Sequence, residues 1–523
     1  MELPLTPLEF MRRARRLYGD REAVVDGSRR WTYAQFFERC DRWSAALQAL
    51  GVQPGDRVAY LSPNTHAQLE SFYAVPQIGA VLVPINFRLA AEEIIHIINH
   101  SGATVVCVAG SHLDVIDGIR NAVPGVRHFV ALEQPRTGWG DYEALMQSAA
   151  LEPERPAVDE RDLLTINYTS GTTSRPKGVM ITHRNAWVNA VGTLIHMPMT
   201  CADRYLWTLP MFHANGWTFV WIVTAVGAAH VCLRKVDAAQ ILTLVREERI
   251  SVLCAAPTVL VGLAHAPDQV RQGTPSGVRV LTAGAPPAAA TIDAIEDGLG
   301  WTITQGYGLT ETAPFITMCE PRPEHASLPN DARAAIKARQ GVELVTSGEL
   351  RVVDDDDREV APDGRSVGEI VVRGNVVMRG YFNDPEATAK AMAGGWFHTG
   401  DAAVVHQDGY VEIRDRIKDV IISGGENISS IEVESMLLRH PAVQEAAVVG
   451  LPDEHWGEAP HAFVVLTAGA RVSPDELREF SRSHLAHFKT PHSFTFVAEL
   501  PKTATGKIQK YVLRGGRPNI STQ

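Results

Sequence analysis

The chain has 523 residues, 45% hydrophobic and 21% charged, with a net charge of −11. That length exceeds what one hydrophobic core supports, so two or more domains are expected, and the composition excludes disordered, collagen-like and coiled-coil classes. The acidic balance excludes general nucleic-acid binding, which needs a basic face, but not an anionic ligand held by a few local cations and backbone N–H groups.

The N-terminal stretch MELPLTPLEFMRRARRLYGD places its basic residues after the apolar ones and lacks a signal-peptide core. Thr32 can cap a helix in which Phe36, Cys40, Trp43, Leu47 and Leu50 recur every three or four positions, ended by Gly51. A strand at residues 57–61 and a helix from about His66 follow. Similar strand–helix units recur to about residue 310, which predicts layered α/β structure. The most apolar stretch, residues 218–233, holds Gly227 and His230 and is short for a membrane span, so it reads as buried core without stable membrane insertion. From about residue 348 the period changes. Residues 348–353, 368–373 and 409–414 read as short strands in an all-β section, and Asp354–Asp357 as a solvated hairpin tip. After Asp415 a compact α+β unit is expected. It holds a strand at 419–423, a helix at 429–439, strands near 443–450 and 461–467, and a helix at 474–487. The boundary falls at 415–418, which gives domains of residues 1–414 and 419–523.

Six cysteines (40, 107, 201, 232, 254 and 319) form no C-x-x-C pair, which reads as reduced, intracellular cysteine without a disulfide framework or zinc site. The Asn-x-Ser/Thr triplets at Asn167, Asn427 and Asn519 carry no glycosylation meaning in a chain without a secretion signal. His96 and His100 have the i, i+4 spacing of a metal pair but no evident third ligand, so they read as structural.

Residues 168–178 read YTSGTTSRPKG. They lie between an expected strand at 162–168 and a helix starting near Thr182. Backbone N–H groups and the hydroxyls of Thr169, Ser170, Thr172 and Thr173 can wrap phosphate oxygens around Gly171, and Lys177 adds a point charge. This is not a Walker loop, because Pro176 stands where its second glycine belongs and Gly178 where Ser or Thr should follow the lysine. On chemistry alone, a plain surface loop is the alternative.

The string resembles the signature loop of the adenylate-forming superfamily, which includes acyl- and aryl-CoA synthetases, peptide-synthetase adenylation domains and beetle luciferases. The resemblance continues in family order through TAGAPP (282–287), QGYGLTETAP (305–314), GEIVVRGNVVMRGY (368–381), GWFHTGD (395–401), RDRIKDVIISGGENIS (414–429) and PKTATGKIQK (501–510). It departs at Ser174, where the family most often has glycine. The resemblance implies a large N-terminal domain of α/β sheets with a β-rich section, and a small mobile α+β C-terminal domain.

It also implies roles. Gly284–Ala285–Pro286 and Tyr307–Gly308 would form the adenine slot, with the Tyr307 ring on the base. Thr310 would contact the α-phosphate, Glu311 would bind Mg2+, and Asp401 and Arg416 would face the ribose. Lys507 would supply the cation where the substrate carboxylate attacks the α-phosphorus of ATP. Lys418 would be the hinge about which the C-terminal domain swings, and Gly424 and Gly425 would admit the pantetheine arm of coenzyme A. His213, in PMFHANGW (210–217), would lie near the bound carboxylate. Trp217 and Trp221, four residues apart, are expected on one helical face. They either shorten an acyl pocket, favouring short, medium or aromatic acids, or serve as core aromatics. The PMFHANGW string is also similar to the branch with methylmercaptopropionate-, benzoate- and medium-chain-CoA ligases.

The implied reaction is acid plus ATP to acyl-AMP, then transfer to coenzyme A, by a cytoplasmic enzyme. The C-terminus, NISTQ, is not an SKL-type address. An amine acceptor, a luciferase-type oxygenase and a non-catalytic nucleotide-binding regulator remain as alternatives, and a homodimer is one option for the assembly.

Overall fold

Residues 2–169, 176–285, 287, 289–424, 426–453, 455–502 and 508–515, as described by a computed structural model, form four sheets. In the nine-stranded sheet, Arg204–Trp207 pairs in parallel with Ala229–Cys232 and Val252–Ala255, and the parallel run continues through Arg279–Thr282 to Thr302–Gly308. In the eight-stranded sheet, Arg57–Leu61 pairs in parallel with Val81–Ile85 and Ala103–Val108, and Val81–Ile85 with Leu163–Thr169. The Val81–Ile85 strand is buried at every position, as a parallel strand covered on both faces must be.

One apolar core lies between these sheets. Tyr60 and Leu82 from one sheet join Tyr205 and Trp207 from the other through side chains of the helices Tyr33–Ala49, His66–Ala74, His183–His196 and Phe219–Val226. Two further cores cover the outer faces. Leu206, Leu253 and Val280 pack with Ile241, Leu260 and Ile295, while Val83 and Val106 pack with Ile94, Ile98 and Ile116. The expected layered α/β architecture is therefore present, with helices outside and between two sheets. The Tyr33–Ala49 helix begins as its sequence predicts: Thr32 Oγ1 accepts from the Gln35 N–H, and the Gln35 side chain accepts from the Thr32 N–H. The apolar stretch from Thr218 is buried, and among the described residues no helix is long and apolar enough to cross a membrane.

The third sheet is the expected β section with one strand more than the three expected, Phe397–Val405, which pairs antiparallel between Gly368–Arg373 and Val411–Arg416, while Glu349–Val353 forms one edge. Asp354–Asp357 form an exposed turn beyond the first of these. The fourth sheet, of five strands, belongs to the small C-terminal domain. Its Val443–Asp453 and Gly457–Leu466 strands pair antiparallel and run longer than their sequence predicts. The helices Ser430–Leu437 and Pro474–His484 contribute Val433, Leu437 and Leu477 to a core with Ile421, Val448 and Ala462. Ile417–Asp419 is a single 3-10 turn, so the strand expected from Asp419 starts at Ile421.

Two expectations need correction. A strand, Lys177–Thr182, separates the expected phosphate loop from the helix His183–His196 and pairs antiparallel with Leu163–Thr169. The loop therefore joins a β-hairpin. The signal was present in Val179 and Ile181, which alternate with less apolar neighbours, but six residues beside a serine- and threonine-rich loop are a weak pattern. Secondly, Trp217 and Trp221 do not share a helical face. Residues 214–218 all have positive φ, and the right-handed helix begins only at Phe219.

Candidate active site

Several of the residues expected at the site stand where parallel strands end, the usual place for ligands in α/β sheets. Leu163–Thr169 ends at Thr169, which pairs with Lys177 across the hairpin. Ser170, Gly171, Thr172, Thr173 and Ser174 lie outside the described residues. The Lys177 ammonium sits 4.9 Å from the centre of the Tyr381 ring and 3.9 Å from Asp384 Oδ2. Tyr381 reaches it because Gly380–Tyr381 pairs with Met180 and Val179 on the lysine's own strand.

On the neighbouring sheet, Gly284–Ala285 follows Arg279–Thr282, and Tyr307–Gly308 closes the adjacent parallel strand. Gly284 has φ +88°, with open space where a side chain would stand, and Gly284 and Ala285 are exposed. Pro286 lies outside the described residues. Gly308 is required for another reason. A Cβ there would come within 1.8 Å of the Pro314 carbonyl oxygen, so only glycine permits this pairing of strands.

Tyr307 donates its phenol O–H to Asp401 Oδ2 at 2.6 Å. Asp401 Oδ1 takes Arg416 Nε at 2.7 Å, because Asp401 and Arg416 are register partners in the antiparallel β section. Burial, with Asp401 beside it, pushes the Tyr307 phenol well above its ordinary range. Burial opposes the Arg416 charge, but Asp401, Tyr307 and Glu311 outweigh it and raise its pKa. The carboxylate of Asp401 is 3% exposed yet still carries unused lone pairs for further donors. A second group adjoins the first. Glu311 follows Thr310 in the one-turn segment Thr310–Thr312, and its Oε1 accepts from the Tyr381 hydroxyl at 3.0 Å. Thus Tyr307, Asp401 and Arg416 form one cluster, and Glu311, Tyr381, Lys177 and Asp384 form its neighbour. Sequence reasoning assigned no role to Tyr381 or Asp384, although Tyr381 closes the string GEIVVRGNVVMRGY.

His213 precedes a left-handed turn. Ala214, Asn215, Gly216, Trp217 and Thr218 have φ of 36°, 48°, 56°, 49° and 66°. Such backbone costs roughly 1–2 kcal/mol per non-glycine residue and persists only where its surroundings fix it. Asn64, in the loop after Arg57–Leu61, fixes the segment before the turn, and Thr165 and Asn167 on Leu163–Thr169 hold the turn itself. Asn64 donates to the Trp207 and Leu209 carbonyls at 2.8 and 2.9 Å and accepts from the Met211 N–H at 2.8 Å. Thr165, Asn167 and Asn215 close a hydrogen-bonded ring beside the turn. Trp217 and Trp221 are both buried; Trp217 meets Phe315 edge-on, and Trp221 meets Phe72.

At the expected hinge Lys418 is exposed, and in the C-terminal domain Gly424 donates its N–H to the Trp456 carbonyl at 2.8 Å. Gly425 and Lys507 lie outside the described residues. The segment after Lys507 is anchored by Lys510 to Glu434 at 2.8 Å and by Arg514 to Asp419 at 2.6 Å, beside the expected hinge. A cleft of ≈ 190 Å³ opens between the domains, with Pro287, Ala290 and Arg339 on one wall and Ile431, Ser435 and Arg439 on the other. A larger one, of ≈ 260 Å³ at Arg21, Cys201 and Arg204, lies at the opposite, N-terminal edge of the nine-stranded sheet, away from these residues.

His96 and His100 prop the stems of the loop expected to bind phosphate. His96 Nε2–H donates to the Pro176 carbonyl at 3.2 Å, and His100 Nδ1 lies 2.8 Å from the Tyr168 hydroxyl. Among the described residues no three His, Cys, Asp or Glu side chains could jointly hold a metal ion. A single carboxylate such as Glu311 suits an ion that takes its other ligands from phosphate and water, as Mg2+ does.

Comparison with known proteins shows which chains this one is similar to. Residues 10–382 match the family model described as AMP-binding enzyme, and residues 432–507 the AMP-binding enzyme C-terminal domain. A 4-hydroxybutyrate–CoA ligase from Metallosphaera sedula is 43% identical, covering 98% of this chain and 94% of the relative. Among solved structures, an anthranilate CoA ligase in complex with anthranoyl-AMP superposes with a TM-score of 0.90 at 27% identity, covering 98% of both chains. An amide bond synthetase from Marinactinospora thermotolerans gives a TM-score of 0.85 at 28% identity, covering 97% of this chain and 99% of the other.

Proposed function

The chain belongs to the AMP-binding enzyme family, and we propose that it is an ATP-dependent acid–CoA ligase acting on a short- or medium-chain or aromatic carboxylic acid. The observation that carries this reading is the Tyr307–Asp401–Arg416 cluster beside Glu311, Tyr381 and Lys177. It sets a buried carboxylate, two cations and a second carboxylate around one edge of the sheets, a combination suited to a ribose and a phosphate chain.

In the first step a carboxylate oxygen of the acid bonds to the α-phosphorus of ATP and the bond to the β-phosphate breaks, giving acyl-AMP and pyrophosphate. In the second, the thiol of coenzyme A loses its proton, its sulfur bonds to the acyl carbon, and AMP leaves. Asp401 accepts from the ribose hydroxyls and Arg416 faces the same sugar. Tyr307 presents its ring to the base, with Gly284, Ala285, Pro286 and Gly308 as the rest of the slot. Thr169 to Thr173 and Lys177 hold the phosphates, Thr310 contacts the α-phosphate, and His213 orients the acid. Lys507 brings a cation to two anions that must approach each other. Mg2+, held by Glu311, would neutralise phosphate charge.

The C-terminal domain, residues 419–523, turns about a hinge at 415–418 that contains Lys418. It presents Lys507 for the first step and the Gly424–Gly425 face to coenzyme A for the second. The enzyme acts in the cytoplasm. Relatives support the substrate class, since they include a 4-hydroxybutyrate and an anthranilate CoA ligase. The likeness to an amide bond synthetase keeps an amine acceptor as the second reading.

The test is acid-dependent AMP formation, with and without coenzyme A, over C2 to C16 and aromatic acids, for wild type and Lys507→Ala. The expected result is AMP formation that requires the thiol and one class of acid. Lys507→Ala should fail to make the adenylate yet still convert supplied acyl-AMP to acyl-CoA. Turnover that requires an amine instead would select the second reading, and an absence of pyrophosphate release with every acid would count against catalysis.

A further inference from the structure

Three buried side chains form a closed ring of hydrogen bonds. Thr165 Oγ1 donates to Asn167 Oδ1 at 2.7 Å, Asn167 Nδ2 donates to Asn215 Oδ1 at 3.1 Å, and Asn215 Nδ2 donates to Thr165 Oγ1 at 2.8 Å. The second Asn167 Nδ2 hydrogen donates to the Phe212 carbonyl at 3.1 Å. The three residues are 0%, 2% and 1% exposed, so water cannot substitute for any of these partners. The ring grips the chain at Phe212 and Asn215, on either side of His213. Its other half sits on Leu163–Thr169, the strand that delivers Thr169 to the phosphate loop.

The need for such a clamp is local. Four of the five residues from Ala214 to Thr218 are not glycine, yet all five have positive φ. A left-handed run of ordinary residues reverts to right-handed or extended backbone unless something fixes it. Reversion would rotate His213, the residue that leads into the turn. The only side-chain amide within the turn is Asn215, a residue type that tolerates this conformation, and its amide is spent on the ring rather than on its own backbone.

We propose that Thr165, Asn167 and Asn215 are positioning residues for the acid-activating step. They hold the strained turn so that His213 keeps a fixed place relative to the phosphate loop. The proposal rests on the reading of His213 as the residue that orients the carboxylic acid.

The test compares Thr165→Val, which keeps shape but removes the hydroxyl, with Thr165→Ser, His213→Ala and the double variant Thr165→Val/His213→Ala. Acid-dependent ATP–pyrophosphate exchange gives kcat/KM for the acid and KM for ATP, and thermal melting reports folding. Thr165→Val is expected to lower acid kcat/KM about tenfold while changing ATP KM less than threefold, and Thr165→Ser to recover most of that loss. In the His213→Ala background, Thr165→Val should cost less than twofold more. Equal losses in both backgrounds, or a loss shared equally by acid and ATP, would overturn the proposal and leave the reading of His213 standing. His213→Ala with unchanged acid kcat/KM would remove that reading and the proposal with it. Should Thr165→Val melt far below wild type, Asn167→Ser breaks the same ring from the next residue type, and the same comparison decides.

Discussion

Replacing Asp401 with asparagine isolates charge from shape at the centre of the proposed nucleotide site. The carboxylate is 3% exposed and has two fixed partners, Tyr307 and Arg416. The amide can satisfy both, since its oxygen can accept from Arg416 Nε and its NH2 can donate to the Tyr307 oxygen. The fold should therefore survive, with Arg416 left without its counter-charge. Binding should not survive intact. A hydrogen bond to a charged acceptor contributes about 1.5–3 kcal/mol, and an amide nitrogen cannot accept at all. Losing one ribose hydroxyl contact should thus lower kcat/KM for ATP about 10- to 150-fold. The assay is acid-dependent pyrophosphate release with ATP, 2′-deoxy-ATP and 3′-deoxy-ATP. Wild type should discriminate against both deoxy nucleotides, and Asp401→Asn should lose at least one of those two penalties. An Asp401→Asn enzyme that is slower overall but keeps both penalties undiminished would refute the assignment of this carboxylate to the ribose.

Further outcomes follow from local geometry. Gly308→Ala should destabilise the protein by about 1–3 kcal/mol or more, because its Cβ meets a backbone carbonyl that cannot move aside. Gly284→Ala, with open space but φ +88°, should cost only roughly 1–2 kcal/mol, and urea unfolding of the two variants would rank them. Stability should fall as pH drops from 6.5 towards 4. Burial depresses His183 to about 4 and His230 to about 3, so in that window the unfolded chain takes up protons that the folded protein refuses. Each group contributes a slope of up to about 1.4 kcal/mol per pH unit. His66 does not offset this slope. Burial lowers its pKa, but Asp26 and Glu143 outweigh that and raise it, so its contribution is already complete below 6.5 and is lost only at higher pH. Urea midpoints that stay level or rise between pH 6.5 and 5 would contradict the assignment of neutral buried histidines. Tyr381→Phe leaves Glu311 without its phenol donor while keeping the ring over Lys177, so the Mg2+ dependence of adenylation should shift with little change in acid KM. An unchanged Mg2+ titration would argue against Glu311 as the ligand.

The sequence by itself determined the elements whose signal is local. The capped helix after Thr32, the strand at Arg57–Leu61 and the antiparallel section after residue 348 were legible because capping pairs and apolar periods act within a few residues. The linear strings also named the residues that meet at the site, among them Tyr307, Glu311, Asp401 and Arg416. Only the tertiary structure decided how they meet. Asp401 lies 94 residues from Tyr307 and 15 from Arg416, and strand register alone brings the three together. Tyr381 became a partner of Glu311 and Lys177 because its short strand joins the edge of the phosphate-loop hairpin. The turn after His213 was the least legible. ANGWT carries no pattern that forces positive φ at five consecutive residues, and isolated chains avoid it. Thr165, Asn167 and the packed surroundings hold it there, and those lie about fifty residues away in sequence on another sheet. Propensities and motifs act along the chain, whereas hydrogen bonds that fix a strained backbone are made across it.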